Sequence, residues 1–179
     1  MTRACLHRQC GVVTDTPCRT ARERRVSFVV PLSARDLNYI LSPEKLQETF
    51  RRVYEHLLPG GAFIFDVNTE YALREGLFDQ ENLSSRRRLL YRWKSRFDEE
   101  TKICMVEMEF WLRNEAGEAV KHFMEVHRQR AYGLDELYTM LRNAGFDYAR
   151  AFHAYTLRPP HATTDRAFFV ATRWSSLET

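Results

Sequence analysis

The chain has 179 residues, and its 27 basic and 24 acidic residues leave a net charge of +3 at pH 7. Hydrophobic residues make up 44% and charged residues 28%, which excludes intrinsic disorder for most of the chain. No stretch reaches the ~20 apolar residues of a membrane span, and the small net charge requires no nucleic-acid partner. We therefore expect one folded domain with neither a membrane nor a nucleic acid as partner.

The first 25 residues differ in character from the rest of the chain. They contain six arginines and three of the four cysteines, Cys5, Cys10 and Cys18, but neither helical nor strand periodicity. The cysteine spacing matches no zinc motif, and no apolar run of a secretory signal is present. This pattern favours free thiols in a reducing cytoplasm, and we expect residues 1–25 to be poorly ordered.

A short strand and a capped helix are predicted next. Val26–Val30 is an apolar run of the strand type. Ser42-Pro43-Glu44 favours a helix start, because Ser can cap, Pro suits the first helical position and Glu complements the positive end of the helix dipole. The buried stripe of this helix has spacings of four, three and four and comprises Leu46, Phe50, Val53 and Leu57.

A turn and a buried strand follow the helix. Pro59-Gly60-Gly61 is predicted to end the helix and turn the chain. Ala62–Val67 is a near-continuous apolar run, which is typical of a central strand covered on both faces. The order of helix, turn and buried strand indicates half of a βαβ unit.

The middle of the chain has the alternation of an antiparallel sheet, with strands around residues 89–97 and 104–112. A single register puts apolar residues opposite apolar residues and basic residues opposite acidic ones. Its pairs are Phe97 with Cys104, Trp93 with Met108, Tyr91 with Phe110, Lys94 with Glu107 and Arg92 with Glu109. A slip by one residue would put charge opposite core on both faces.

The same register bears on the basic cluster of Arg86–Arg88, Arg92, Lys94 and Arg96. We expect these side chains to meet carboxylates across the strands, and RNA binding is the weaker alternative. A third strand is predicted over about residues 119–132, without a defined register. A helix from Leu134 is predicted to end at Gly145 as a left-handed cap, followed by strands at about 148–156 and 167–173.

The order of these landmarks resembles the C-terminal part of a class I S-adenosylmethionine-dependent methyltransferase of the small-molecule type, over about residues 36–173. The motifs are Asp36-Leu-Asn-Tyr-Ile-Leu, Leu58-Pro-Gly-Gly61, Phe63-Ile-Phe-Asp66-Val, His127-Arg-Gln-Arg130-x-Tyr132, Ala144-Gly145-Phe146 and Phe168-Phe-Val-Ala-Thr-Arg173. The resemblance implies an α/β fold with a partial Rossmann-like sheet of mixed parallel and antiparallel strands. It also implies a partial methyltransferase domain at residues 26–179, with inserted antiparallel strands at 87–132.

The resemblance further implies a cofactor side and an acceptor side. Asn38 and Asp66 are expected near S-adenosylmethionine. Asn68 and Tyr71 are expected to bind the acceptor just beyond the carboxyl end of a strand, where open α/β sheets bind ligands. No His, Cys or Asp cluster has the spacing of metal ligands, so no metal is expected.

Three further residues are expected on the sheet that covers the acceptor. Arg130 and Tyr132 would bind substrate, and His127 is the candidate general base because imidazole titrates near neutral pH. The alternative for His127 is an ordinary sheet-face histidine beside Glu107 or Glu125.

Two features of such enzymes have no counterpart here. The family has a Gly-rich cofactor loop, whereas Gly11 is the one glycine before residue 60, and the family's ribose-binding acid is matched at best by Glu23 among arginines. The resemblance thus implies a missing N-terminal cofactor-binding half. One hypothesis is that residues 1–35 are translated out of frame or from a misassigned start, which the other two upstream reading frames would test.

Two functions therefore compete. The first is S-adenosylmethionine-dependent methyl transfer to a small-molecule acceptor. The second is a non-catalytic, methyltransferase-like fragment or pseudoenzyme that acts in binding or assembly. In the second case an open edge of the partial sheet invites self-association, and Val26–Val30 is a candidate strand to cover that edge.

Overall fold

The computed structural model describes residues 26–32, 37–84 and 88–174. In chain order the elements are β1 (Val26–Leu32), α1 (Pro43–His56), β2 (Leu57–Asn68), α2 (Glu70–Arg74), β3 (Gln80–Asn82), β4 (Leu89–Asp98), β5 (Ile103–Arg113), β6 (Ala119–Arg130), α3 (Leu134–Ala144), β7 (Tyr148–His153) and β8 (Arg166–Thr172). The predictions for residues 1–25, and for Arg86 and Arg87, fall outside the described residues, as does most of the segment 1–35.

The described strands form two four-stranded sheets. The first sheet has the order β1-β2-β8-β7, and the second has the order β3-β4-β5-β6. β1 runs parallel to β2, and the remaining neighbours are antiparallel. The α/β class is therefore confirmed, with mostly antiparallel strands.

The predicted helix start is confirmed. The Ser42 hydroxyl accepts a hydrogen bond from the backbone N–H of Lys45 at 3.2 Å, and Pro43 is the first helical residue. This cap satisfies one of the N–H groups that a helix leaves unpaired. Leu46 and Phe50 are fully buried, so the predicted stripe faces the core.

The segment Pro59-Gly60-Gly61 does not form the predicted turn. Helix α1 has already given way to β2 at Leu57, and the segment lies within that strand. β2 advances five residues, from Leu57 to Ala62, while the paired β1 advances only two, so the three residues belong to a bulge. Gly60 has φ +80°, which a glycine adopts without steric cost.

β2 is the inner strand that the apolar run predicted, with β1 on one side and β8 on the other. The suggested covering role of the Val26 strand is confirmed by its parallel pairing with β2. Three aromatic rings, Phe63, Phe65 and Phe169, are fully buried in this sheet. Their centroids lie 4.7 and 5.0 Å from one ring to the next, so they form the centre of the larger core.

The second sheet has the predicted register in all five pairs between β4 and β5. β6 extends it, and Val106 faces His127 while Cys104 faces Gln129. His127 and Gln129 therefore lie on the apolar face of the sheet, which packs against Leu73 of α2. The register of β6 was not predicted.

Three described members of the basic cluster, Arg88, Arg92 and Lys94, lie within ion-pair distance of carboxylates, whereas no such pair is found for the described residue Arg96. The Arg92 guanidinium lies 3.7 Å from Glu81 and 3.9 Å from Glu109. The Lys94 ammonium lies 3.2 Å from Asp79, although its opposed residue across the strands is Glu107. These exposed pairs contribute at most about 1 kcal/mol each.

The end of α3 is confirmed and the end of β7 is corrected. Gly145 has φ +106°, and a Cβ at this position would lie 2.9 Å from the Tyr54 ring. β7 ends at His153 rather than at Thr156, because the Thr156 N–H donates to the His153 carbonyl at 3.0 Å and closes a turn. Tyr155, inside this turn, has φ +58°, which an extended strand does not permit.

Candidate functional site

The two sheets are joined where β2 ends. Asn38 is fully buried, and its Nδ2 donates to the carbonyl oxygens of Asn68 at 3.1 Å and of Arg130 at 2.9 Å. Its Oδ1 accepts from the backbone N–H of Asn68 at 2.9 Å. The Arg130 N–H in turn donates to the Asn38 carbonyl at 2.7 Å. One side chain thus holds the end of β2 against the end of β6.

Asn68 extends this link through its own side chain. Its Nδ2 donates to Oε1 of Gln129 at 2.8 Å, and both residues are buried. Gln129 was not among the predicted site residues. The available signal was its position two residues after His127, which in a strand puts both side chains on the same face. The site therefore contains a buried amide pair beside the candidate base.

Asp66 is 4% exposed, and its Oδ2 lies 3.6 Å from the Arg166 guanidinium. Both N–H groups of the Asn38 amide are bonded within the protein. At the two positions expected near S-adenosylmethionine, the described side chains are therefore engaged in the fold. The contact of Asn38 and Asp66 with the cofactor stays a prediction.

His127 is hydrogen-bonded on both ring nitrogens. Its Nδ1 lies 2.7 Å from the Tyr39 hydroxyl, and its Nε2 lies 3.3 Å from the Glu125 carboxylate. The side chain is 30% exposed. A carboxylate beside Nε2 favours the tautomer with the proton on Nε2, which leaves Nδ1 as an acceptor. The predicted neighbour Glu125 is thus present, whereas Glu107 pairs with Val126.

The other predicted acceptor-binding residues differ in their burial and in their bonding partners. Tyr71 is half-buried in the first turn of α2. The Arg130 guanidinium donates to the Thr101 carbonyl at 3.0 Å and lies 5.5 Å from the Tyr132 ring centroid. Tyr132 is 1% exposed, and its hydroxyl donates to the Ile40 carbonyl. The structure places Tyr132 in the core rather than on an open face.

Burial raises the pKa of Tyr132 to about 12, above the ~10 of a free tyrosine. The unfolded chain therefore ionises first, and the stability due to this group is lost as pH rises from about 10 to 12. We expect a loss of about 2 kcal/mol in the free energy of unfolding by pH 11.5 from this group. Urea unfolding at pH 9 and 11.5 measures it.

Tyr132→Phe is the control for this pH dependence. It leaves the Ile40 carbonyl without its donor, which costs about 1–2 kcal/mol at pH 9, where Tyr132 is protonated in both states. The variant should nevertheless lose about 2 kcal/mol less than the wild type between the two pH values. An identical pH dependence in both proteins would show that Tyr132 does not ionise in this way.

Comparison with known proteins gives both sequence and fold relatives, although no family model matches the chain. The chain is 32% identical over 135 residues to the protein called "Putative methyltransferase YqeM" from Bacillus subtilis strain 168, covering 75% of this chain and 54% of the relative. A solved S-adenosylmethionine-dependent methyltransferase from Clostridium acetobutylicum has the same fold at a TM-score of 0.72 and 23% identity, covering 88% of this chain and 62% of that one.

This chain resembles the class I S-adenosylmethionine-dependent methyltransferases. The resemblance inferred from the motifs is thereby confirmed over about three quarters of the chain. The sugar N-methyltransferase KedS8 from Streptoalloteichus shares the fold at a TM-score of 0.63 and 16% identity, covering 88% of this chain and 60% of that one. The chain spans about half the length of the curated relatives it matches.

Two further properties concern the described residues alone. No helix among them is long and apolar enough to cross a membrane. Nor do residues 26–32, 37–84 and 88–174 bring together three or more His, Cys, Asp or Glu side chains that could hold a metal ion.

Proposed function

We propose that this chain acts in S-adenosylmethionine-dependent methyl transfer to the amine or hydroxyl group of a small molecule, with His127 as the general base. The observation that carries the proposal is the hydrogen-bonded series from Tyr39 through His127 to Glu125. Tyr39 directly follows Asn38 in the chain, and the Asn38 amide joins the ends of the two sheets. In this family the cofactor supplies the methyl group.

His127 has the arrangement that proton removal requires. Glu125 stabilises the imidazolium that forms when Nδ1 takes a proton, because its carboxylate lies beside Nε2. The Tyr39 hydroxyl already occupies the position of a proton donor to Nδ1. An acceptor can therefore deliver its proton to His127 by displacing the Tyr39 hydroxyl or by passing the proton through it.

The surroundings suit a small polar acceptor. Asn68 and Gln129 put amide groups at the end of β2, and Tyr71 lies one residue inside α2. Arg130 is part of the proposed acceptor site, whereas the Tyr132 ring is buried in the core. The name of KedS8, a sugar N-methyltransferase with this fold, is compatible with an amine as the acceptor.

The proposal covers the acceptor side of the reaction only. Asn38 and Asp66 are both engaged within the fold. The sequence also has no Gly-rich loop before residue 60. We therefore derive no step from cofactor contacts, and we propose that the N-terminal cofactor-binding half of the family's fold has no counterpart in this sequence.

Calorimetric titration with S-adenosylmethionine, paired with radiolabelled methyl transfer to a panel of amino sugars, amines and alcohols, tests the function. If the chain is active, His127→Gln should lower the transfer rate by about 10²–10⁴-fold with a smaller change in the acceptor KM. The matched control is His122→Gln, since His122 is an exposed histidine on the same strand whose ring stacks on Trp111. It should retain wild-type activity.

The titration also separates the two functions. Absence of cofactor binding at millimolar concentration would contradict methyl transfer by this chain alone. It would favour the alternative of a non-catalytic methyltransferase-like protein that keeps the fold for binding or assembly. Equal loss of activity in His127→Gln and His122→Gln would contradict the assignment of the base.

A further inference from the structure

We propose that the outer edge of β6 pairs with β6 of a second copy of this chain, antiparallel and about a twofold axis at Phe123. β6 has 12 residues and is the last strand of the second sheet. Among the described residues, no strand pairs with its outer side. The proposal is independent of methyl transfer, because it rests on the strand edge alone.

Every second residue along this edge has its backbone N–H and C=O groups directed outward, away from β5. The Arg130 N–H points away from β5, since it donates to the Asn38 carbonyl. Hydrogen-bonding direction alternates along an antiparallel strand, and the register between β5 and β6 is unbroken from Lys121 to Arg130. His122, Met124 and the other even-numbered residues therefore present N–H and C=O groups outward, as pairing with another strand requires.

The side chains along the edge are apolar where a monomer would need them polar. Val120 and Met124 are each 57% exposed, Val126 is 51% exposed and Phe123 is 37% exposed. Monomeric proteins usually protect a long edge strand with prolines, bulges or charges. Here the exposed stretch from residue 120 to 126 is protected by none of these except two charged residues, Lys121 and Glu125.

Those two charges select the partner and the register. In a twofold pairing centred on Phe123, the sequence numbers of opposed residues add up to a constant. Lys121 of each copy then faces Glu125 of the other, Val120 faces Val126, and the two Phe123 rings face each other. Opposite charges and apolar pairs at opposed positions both favour sheet pairing. A second copy of this chain is therefore complementary to its own edge.

Neighbouring registers lack this complementarity. A twofold axis at Met124 would put Phe123 opposite Glu125, and an axis at His122 would put Lys121 opposite Phe123. An axis at Lys121 or at Glu125 would put two like charges face to face, which is destabilising. A shift of one copy by a single residue relative to the other is not available, because it would turn that strand's side chains to the opposite face of the sheet.

Charge reversal tests the pairing in solution. The full chain should sediment at twice its 21.2 kDa mass at micromolar concentration. Lys121→Glu or Glu125→Lys should weaken the dimer by at least about tenfold, because each creates two like-charge pairs. The double variant with both changes should restore it. Lys45→Glu, which changes an exposed charge on α1, is the control and should remain dimeric.

A disulfide tests the register separately. Phe123 would face itself in a non-hydrogen-bonded pair, where Cα atoms are about 4.5 Å apart and within disulfide range. In a background with Cys5, Cys10 and Cys18 changed to Ser, Phe123→Cys should form a covalent dimer on oxidation. Met124→Cys should not, because it would face His122.

Several results would overturn the proposal. They are a monomeric wild-type chain at 100 µM, a dimer unaffected by charge reversal, and a disulfide at residue 124 instead of 123. A monomer whose β6 amides remain protected from hydrogen exchange would show that another segment of the same chain covers the edge. Circular dichroism verifies that each variant is folded, and the cysteine pair decides the question if a charge variant unfolds.

Discussion

Replacing Asn38 by Asp is expected to lower the free energy of unfolding by about 3–5 kcal/mol. The carboxylate cannot donate, so the carbonyl oxygens of Asn68 and Arg130 each lose a hydrogen bond of about 3 Å. The same carboxylate would then lie against these two oxygens at a position with no solvent exposure. Urea unfolding at pH 7, followed by circular dichroism, measures the change.

Asn143→Asp is the matched control. Asn143 is an exposed residue of α3, and the same chemical change there should alter the free energy of unfolding by less than about 1 kcal/mol. A loss in Asn38→Asp no larger than in this control would contradict the role of Asn38 as the link between the sheets.

Phe65→Ala is expected to cost about 3–5 kcal/mol through the cavity it leaves in the larger core. The Phe65 ring is fully buried and lies 5.3 Å from Phe50, 4.7 Å from Phe63 and 5.0 Å from Phe169, centroid to centroid. Removing it therefore removes contacts to three other rings at once. Typical domains have only about 5–15 kcal/mol of total stability, so the variant should unfold at markedly lower temperature.

Two comparisons define this second experiment. Phe65→Leu refills part of the space and should cost clearly less than Phe65→Ala. Tyr155→Ala removes an aromatic ring that is 85% exposed, and it should change stability by less than about 0.5 kcal/mol. Thermal and urea unfolding of the three variants should give this order, and equal effects of Phe65→Ala and Tyr155→Ala would contradict the assigned core.

The residues of the candidate site are expected to differ in whether their substitution affects the free energy of unfolding or the rate of methyl transfer. Asn38 and Tyr132 were expected to contact cofactor or substrate, yet their polar atoms bond to backbone groups of the protein. Their substitution should therefore act mainly on unfolding. His127 is partly exposed and bonded only to side chains, so its substitution should act mainly on transfer.

The sequence by itself determined the features that depend on near neighbours along the chain. The start of α1 follows from Ser42 and Pro43, and the end of α3 follows from Gly145, because caps and left-handed residues act within one turn. The register of β4 against β5 also followed from the sequence. Side chains alternate between the two faces of a strand. Only one register therefore puts basic residues opposite acidic ones and apolar residues opposite apolar ones.

The tertiary structure alone decided how distant segments meet. Asn38 bonds to Arg130 across 92 positions, and Tyr132 bonds to Ile40 across the same separation. No local pattern distinguishes a buried, bonded amide or phenol from one that faces a pocket. The same limit explains why the sequence does not predict the place of Gln129 beside Asn68, and why Pro59-Gly60-Gly61 forms a bulge instead of the predicted turn. Its bulge exists only because the backbone of β1 lies beside it, and packing, not propensity, selects such contacts.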